Sequence, residues 1–318
     1  MQSEVKFLVV RQNMTEGKIW INGSFVKWDK ARVHILTHGL HYGTAVFEGI
    51  RCYKTINGPA VFRLSDHIQR LVDSGKIYFM DLGYSKEQLQ NAVIDAIKAN
   101  EIEECYIRPI AYYGYGKMGV NPMPNKVSVA IALWKWEEYL KVDEADEFTR
   151  LMVSAWMRID GRSMPVHAKA TANYANSVLA RVEALKAGFD EAIMLNANGM
   201  VIEASAENIF IVKDNVLITP PVTSGALNGI TRDSILALAK KHKIPCEIRD
   251  ISRDELYVAD EVFLTGTAAG VKPVCEIDNR IIGDRKTGII TKRLKMLFES
   301  VVHGRDKKFS QKWLTHIY

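Results

Sequence analysis

The period of apolar positions changes several times along this chain. Residues 18–26 alternate with period two about an Asn22-Gly23 pair, which predicts a β-hairpin. From Ser65 to about Ile77 the period lengthens to that of a helix, with Ser65 as the expected N-cap. Ser85 and Gln88 form the pattern of a capping box for a second helix, whose Leu89, Ala92, Val93, Ala96 and Ile97 share one face. Segments 105–113 and 127–134 predict strands. Residues 137–147 are acidic and weakly patterned, as expected of a linker. Beyond them a strand is predicted at 151–157. A helix follows at about 172–187, with Ala175, Val178, Leu179, Val182 and Leu185 on one face and Gly188 as its stop. A meander comes next, with strands at 191–195, 200–204, 208–212 and 216–219 and turns at Asn198-Gly199 and Asp214-Asn215. Helix 231–242, strand 261–264 and helix 287–301 close the pattern. After Gly304 a polar, loosely ordered end is expected, with Trp313 and Leu314 as its candidate anchors.

This sequence of periods has no internal repeat and predicts a mixed α/β fold. The length of 318 residues suits two domains. They are expected as a smaller N-terminal domain over 1–136, a linker at 137–147 and a larger C-terminal domain over 148–318. The apolar fraction of 47% and charged fraction of 25% are those of an ordinary globular enzyme. No apolar run reaches the length of a membrane span, and the first residues lack the sections of a signal peptide, so a cytoplasmic location is expected. The four cysteines (Cys52, Cys105, Cys246, Cys275) are scattered, so reduced buried thiols are expected rather than a disulfide framework or zinc site. The net charge of +5 fits a mildly basic surface or attraction for small anions. Basic residues are dispersed apart from the 305–308 segment, so the pattern does not favour nucleic-acid binding.

Two motifs mislead. Gly114-Tyr115-Gly116-Lys117-Met118-Gly119 matches a dinucleotide fingerprint, but Pro122 and Pro124 follow where a helix is required. His34, His38 and His41 suggest a metal triad, yet Gly39 argues against a helix and no further ligand is suitably spaced before Glu48. Packed or hydrogen-bonded histidines are the expectation.

A different set of residues carries chemistry. Lys169 lies among small and apolar residues between a strand and a helix, where burial would lower its pKa and make it nucleophilic; a surface lysine in a loop would read the same way. Tyr174 stands on the first turn of the following helix. Strand alternation places Glu203 with Val201 on an apolar face, where a carboxylate needs a cationic partner, unless it is an exposed strand residue. Glu207 reads as structural. Gly229-Ile230-Thr231 opens a helix and offers N–H groups and a hydroxyl to an anion, although Thr231 also fits a plain N-cap. Residues 264–270 form a small-residue loop after a strand, either a second donor site or a tight turn.

In this order the pieces resemble the class IV aminotransferases of pyridoxal-phosphate fold type IV, and most closely the branched-chain amino-acid aminotransferases. The resemblance covers about residues 20–301. Its most specific signature runs from Glu203 through Asn208, Phe210, Leu217, Thr219, Leu227, Gly229 and Ile230 to Arg232. It implies pyridoxal 5′-phosphate in the interdomain cleft, with Lys169 as the catalytic Schiff-base lysine, Glu203 on the pyridine nitrogen and Tyr174 on the phenolic oxygen. Arg63, Ile230, Thr231 and Thr267 would hold the phosphate. Segments 41–51 and 106–109 are also similar to the branched-chain enzymes. They imply Tyr42, Phe47, Gly49, Trp136 and Tyr139 as pocket walls, and Tyr106 and Arg108 as receivers of the glutamate side-chain carboxylate. Ala268 and Ala269 would receive the α-carboxylate. One departure is local: bacterial members often have two glycines where this chain has Thr171 and Ala172.

The implied reaction is ping-pong transfer of an amino group from L-leucine, L-isoleucine or L-valine to 2-oxoglutarate. Small-molecule substrates and a homodimer or higher homo-oligomer are expected, with no metal, nucleic acid or membrane partner. The alternatives on this fold are a D-amino-acid or (R)-amine transaminase, an aminodeoxychorismate lyase, or an idle cofactor-binding protein.

Overall fold

Asn22 and Gly23 take positive φ angles of 49° and 89°, as a two-residue primed turn requires, and join β1 (Lys18–Ile21) to β2 (Ser24–Lys27) as the pattern predicts. The computed structural model describes residues 17–135 and 149–318. The predicted linker lies outside them, and so do Trp136 and Tyr139. After the hairpin come α1 (His38–Tyr42), β3 (Ala45–Phe47), β4 (Ile50–Thr55), β5 (Gly58–Phe62), α2 (Leu64–Ile77), α3 (Lys86–Asn100), β6 (Cys105–Tyr113) and β7 (Val127–Lys135). The second run begins with β8 (Thr149–Val153), α4 (Thr171–Lys186), β9 (Glu191–Leu195), β10 (Val201–Ala204), β11 (Asn208–Lys213), β12 (Val216–Thr219) and α5 (Ile230–Lys241). It continues with β13 (Cys246–Ile248), α6 (Arg253–Tyr257), β14 (Glu261–Gly266), β15 (Gly270–Ile277), β16 (Arg280–Ile281), α7 (Ile289–Val302), α8 (Lys307–Trp313) and β17 (Leu314–His316).

The strands form two sheets. The first has the order β17-β5-β4-β6-β7-β1-β2, with β3 on β6. The second has the order β10-β9-β8-β15-β14-β11-β12-β13, with β16 beside β15, and contains parallel pairs at β8–β9, β8–β15 and β12–β13. Ile68 and Leu71 of α2 and Leu89, Val93 and Ile97 of α3 bury against Ile107, Ile131 and Leu133 of the first sheet. Each such side chain contributes about 1.5–3 kcal/mol of burial. A second core runs from Tyr53 and Phe62 to Phe210, Phe263, Leu238, Leu294 and Phe298, so α5 and α7 pack against both sheets. No helix among the described residues is long and apolar enough to cross a membrane.

Several expectations are corrected. Ser65 does not cap α2; Arg63 does, in a left-handed conformation (φ 50°) that turns the chain from β5 into the helix. Ser85 and Gln88 make the predicted reciprocal box. Gly39 lies inside α1 rather than preventing it, because its missing side chain lets the turn press on Tyr112 and the Thr44 carbonyl. The predicted strand at 151–157 ends at Val153, where the Ser154 hydroxyl bonds Glu183. α5 starts at Ile230 with Gly229 as its cap, so Thr231 is not the N-cap. β13, α6, β15 and β16 were not anticipated; Pro273 inside β15 and the exposure of β13 obscured their periods. The end of the chain is ordered: Asp306 caps α8, and β17 pairs with β5. Cys246 is exposed, whereas Cys52, Cys105 and Cys275 are buried thiols as expected.

The helix after Lys169 has its apolar stripe outside. α4 buries Asn173, Ser177, Ala180 and Ala184, while Val178, Leu179, Val182 and Leu185 are each about half exposed. Gly43 ends α1 with φ 64°, and a β-carbon there would lie 3.0 Å from the Ala172 β-carbon at the start of α4. Gly43→Ala is therefore expected to destabilise the chain by about 1–2 kcal/mol from the left-handed backbone alone. Denaturant unfolding would measure this, and the double variant with Ala172→Gly should relieve the contact but retain the backbone strain.

Candidate active site

Lys169 occupies the short stretch between Pro165 and α4, and that stretch is clamped to the first sheet. Its carbonyl accepts from Phe47 N–H at 2.9 Å, its N–H donates to Ser74 Oγ at 3.0 Å, and Ala170 bridges Val46. Thr171, at the point of departure from the two-glycine pattern, donates its hydroxyl to the Gly43 carbonyl at 3.0 Å. The Lys169 ammonium donates to the Tyr174 hydroxyl and sits 5.0 Å from the centre of the Phe47 ring. The residue keeps a partly accessible surface, but its nitrogen is enclosed. Burial, and after it the Arg70 charge, push its pKa down to about 8. Burial and then the Glu203 charge raise that of Tyr174.

Glu203 lies on β10, whose register shifts between Val201 and Glu203, so the strand does not alternate cleanly and every residue of it is buried. Its carboxylate accepts from Leu227 N–H at 3.0 Å and Asn208 Nδ2 at 3.4 Å. Arg158 Nε lies 2.9 Å from its other oxygen in an ion pair, although that N–H is not aimed along a hydrogen bond. Burial raises the Glu203 pKa against the opposing Arg158 charge. Glu207 is buried near Glu191, which Arg181 pairs, and burial followed by Glu191 pushes it up to about 8. This fits the structural role read for it.

The first turn of α5 faces an arginine from the opposite side. Gly229 caps it without a side-chain bond, and a β-carbon at Gly229 would overlap the Asn208 amide that holds the Leu227 carbonyl. This leaves the N–H groups of the opening turn for an anion. Arg63 donates to Asp233, to Ser234 Oγ at 3.1 Å and to Asp66 at 2.7 Å. Thr267, Ala268 and Ala269 form the half-buried turn between β14 and β15.

An aromatic wall stands beside Lys169. The Arg108 guanidinium lies 5.0 Å from the same Phe47 ring, 5.5 Å from Tyr106 and 5.8 Å from Trp134, and its buried Nε has no partner. A β-carbon on Gly49 would overlap the Tyr106 hydroxyl, so the glycine makes room for that ring. Tyr42 stands apart, exposed and tilted against His38 at 4.5 Å.

The structure adds residues that the sequence reading did not identify. Glu48 is wholly buried at the end of β3, where Arg70 grips both oxygens at 2.6 and 2.9 Å and His67 bonds at 2.7 Å. Burial alone would raise its pKa, but Arg70 and then His67 hold it well below the usual carboxylate range. Arg70 also donates to the Asn228 carbonyl at 2.9 Å, tying α2 to the α5 turn. A lone carboxylate within the apolar run 45–50 was the available signal for Glu48. Arg158, in an irregular loop, gave none. The histidine cluster is hydrogen-bonded as expected: His38 contacts Thr44 and the Gly119 carbonyl, and His41 the Ile35 carbonyl. Among the described residues no group suited to a metal is found. Residues 114–119 form loop, not a helix entry.

Residues 45–277 match the amino-transferase class IV family. A branched-chain-amino-acid aminotransferase of Salmonella typhimurium is 45% identical over 296 residues, covering 93% of this chain and 95% of that one. The crystal structure of the branched-chain aminotransferase of Thermoproteus uzoniensis with norvaline is similar with a TM-score of 0.91 and 43% identity, over 95% of this chain and 100% of that one. The branched-chain amino acid aminotransferase of Thermobaculum terrenum in its PLP-bound holo form gives a TM-score of 0.89 and 35% identity, over 95% of this chain and 99% of that one. With matches of that span and identity, the chain belongs to the class IV aminotransferases.

Proposed function

We propose that this protein is a branched-chain amino-acid aminotransferase, moving amino groups between L-leucine, L-isoleucine or L-valine and 2-oxoglutarate. The observation that carries the reading is the enclosed Lys169 amine, flanked by a buried carboxylate, an anion-binding helix start and an aromatic wall with one unpartnered guanidinium N–H. This donor set fits pyridoxal 5′-phosphate. Arg63, Ile230, Thr231 and Thr267 would hold the phosphate, Glu203 the ring nitrogen, Tyr174 the phenolic oxygen and Lys169 the aldehyde carbon. When bound, the cofactor supplies a carbonyl that takes up the amino group and a ring that accepts the electrons left at Cα.

The residues divide the remaining work. With the cofactor bound, the Lys169 amine, lowered in pKa and bonded to the Tyr174 hydroxyl, would be the base that takes and gives back the substrate Cα proton. Its lowered pKa leaves a useful share of neutral amine near pH 7–8. Glu203, fixed by Leu227, Asn208 and Arg158, would face the ring nitrogen; burial raises its pKa, and a protonated ring nitrogen would favour its charged form as Arg158 does. Phe47, Gly49 and Tyr106 shape an apolar pocket, Trp136 and Tyr139 are proposed as further walls, and Tyr42, exposed and apart in the single chain, would serve as a wall of the pocket in a second copy. Tyr106 and Arg108 receive the distal carboxylate of glutamate, and Ala268 and Ala269 the α-carboxylate through backbone N–H groups. The lobes divide as the sequence suggests, at 1–136 and 148–318, with the cofactor between them.

A second copy of the chain completes the assembly. Val178, Leu179, Val182 and Leu185 form an exposed apolar stripe on α4, and Ile35, Leu40 and Tyr42 are exposed on the segment that α4 abuts. A homodimer or larger homo-oligomer would cover both.

Four outcomes are expected. The purified holoenzyme should lose its yellow absorption with L-leucine and regain it with 2-oxoglutarate, and Lys169→Ala should abolish turnover. A yellow protein unmoved by L-leucine but bleached by D-alanine would reverse the substrate assignment. In the cofactor-free chain, the rate of pyridoxal-phosphate capture should rise as pH increases through about 8, because the folded Lys169 releases its proton there rather than near its ordinary value of 10.5; stopped-flow absorbance across pH 6.5–10 measures this. Val182→Glu places a charge in the α4 stripe and should shift the protein to monomer in light scattering, while an unchanged mass would exclude that face from the interface.

A further inference from the structure

The segment after Gly304 is a strap across the molecule. Asp306 caps α8 and pairs with Lys241 of α5 at 2.9 Å, and Ser310 donates to the Val301 carbonyl of α7 at 2.8 Å. The chain then leaves these helices and pairs β17 with β5, at the far edge of the first sheet. At the crossover lies Trp313, 5% exposed, with its ring against Phe62 at 5.9 Å and Phe309 at 4.3 Å. Two contacts run from it to Arg63. Its carbonyl accepts the Arg63 N–H at 2.6 Å, and its ring lies 5.2 Å from the Arg63 guanidinium carbon.

We propose that Trp313 is a positioning residue for Arg63, and that the C-terminal strap thereby sets how tightly the protein holds the cofactor phosphate. This rests on reading Arg63 as a phosphate ligand. Arg63 has a left-handed backbone, a conformation that L residues rarely adopt, and its N–H is unavailable to the helix it precedes. The Trp313 carbonyl occupies that N–H and so holds the backbone in place. The side chain needs a second constraint. Asp66 and Asp233, which grip its edges, are themselves about half exposed, and exposed ion pairs fix geometry weakly; the buried Ser234 hydroxyl holds the same terminal nitrogen that Asp233 pairs, which pins one point of the fork without setting its plane. A planar guanidinium binds phosphate well only when its plane is set, and the buried indole provides a rigid face for that plane.

The test is a titration of the full-length, cofactor-free chain with pyridoxal 5′-phosphate and, separately, with pyridoxal, followed by visible absorbance. The variants are Trp313→Leu and Trp313→Met, which fill the core without a π face, and Trp313→Phe, which restores one. The apolar variants should weaken pyridoxal-phosphate binding about tenfold. They should leave pyridoxal binding unchanged, and Trp313→Phe should recover most of the loss. In an Arg63→Gln background, Trp313→Leu should add little. Equal weakening of both ligands, full additivity with Arg63→Gln, or wild-type phosphate affinity in a folded Leu or Met variant would each overturn the proposal. Failure of both apolar variants to fold, judged by thermal unfolding, would also overturn it, by making the strap a general folding element. If Arg63→Gln alone leaves pyridoxal-phosphate affinity unchanged, the phosphate role of Arg63 fails instead, and that result is distinct from a failure at Trp313.

Discussion

The site depends on keeping the Lys169 amine enclosed while the charges around it are committed elsewhere. An ammonium taken out of water is costly unless a carboxylate accompanies it. The nearby carboxylate, Glu48, is held on both oxygens by Arg70 and bonded by His67; its charge favours a proton on the lysine, but burial and the Arg70 charge outweigh it. Arg70 and Arg108 repel a proton on Lys169, and the hydrogen bond it keeps is to the neutral Tyr174. The result is a nucleophile by exclusion.

That arrangement explains why so many tertiary contacts converge on a short stretch. Phe47 and Ser74 fix the backbone of Lys169 from the first sheet and from α2, and Thr171 ties the next residues to Gly43 and Ala45. Arg70 links the same α2 to the carbonyl of Asn228, just before the opening turn of α5. The lysine, the opening turn of α5 and the Glu48 network are thus referenced to one helix, α2. A shift of that helix relative to α5 would disturb all three together, which ties catalytic geometry to packing of the core shared by both sheets.

Much of this was legible in the chain. Elements that follow from local chemistry are readable: the Asn22-Gly23 turn, the Ser85 box and the meander turns; the signature from Glu203 to Arg232 is legible only as a resemblance to a family, which the class IV match bears out. Lys169 was readable as a basic residue among small neighbours, but its environment was not, because Phe47, Arg70 and Arg108 come from 60 or more positions away. Arg63 shows the limit most clearly. A left-handed arginine at a helix start violates local preference, and Ser65 looked the better cap. The conformation is held by Trp313, 250 residues later, and no local pattern reports such a partner.

The α4 stripe follows the same logic with the opposite outcome. Its 3.6-residue period was correctly read, and period alone says only that one face avoids water. In the single chain the buried face is the one bearing Asn173, Ser177, Ala180 and Ala184, small residues that let α4 approach β9 closely. The larger Val and Leu side chains point outward. A helix can therefore begin two residues after Lys169 with its small residues inward and its larger apolar residues exposed, because close approach to β9 rather than side-chain size decides which face is buried.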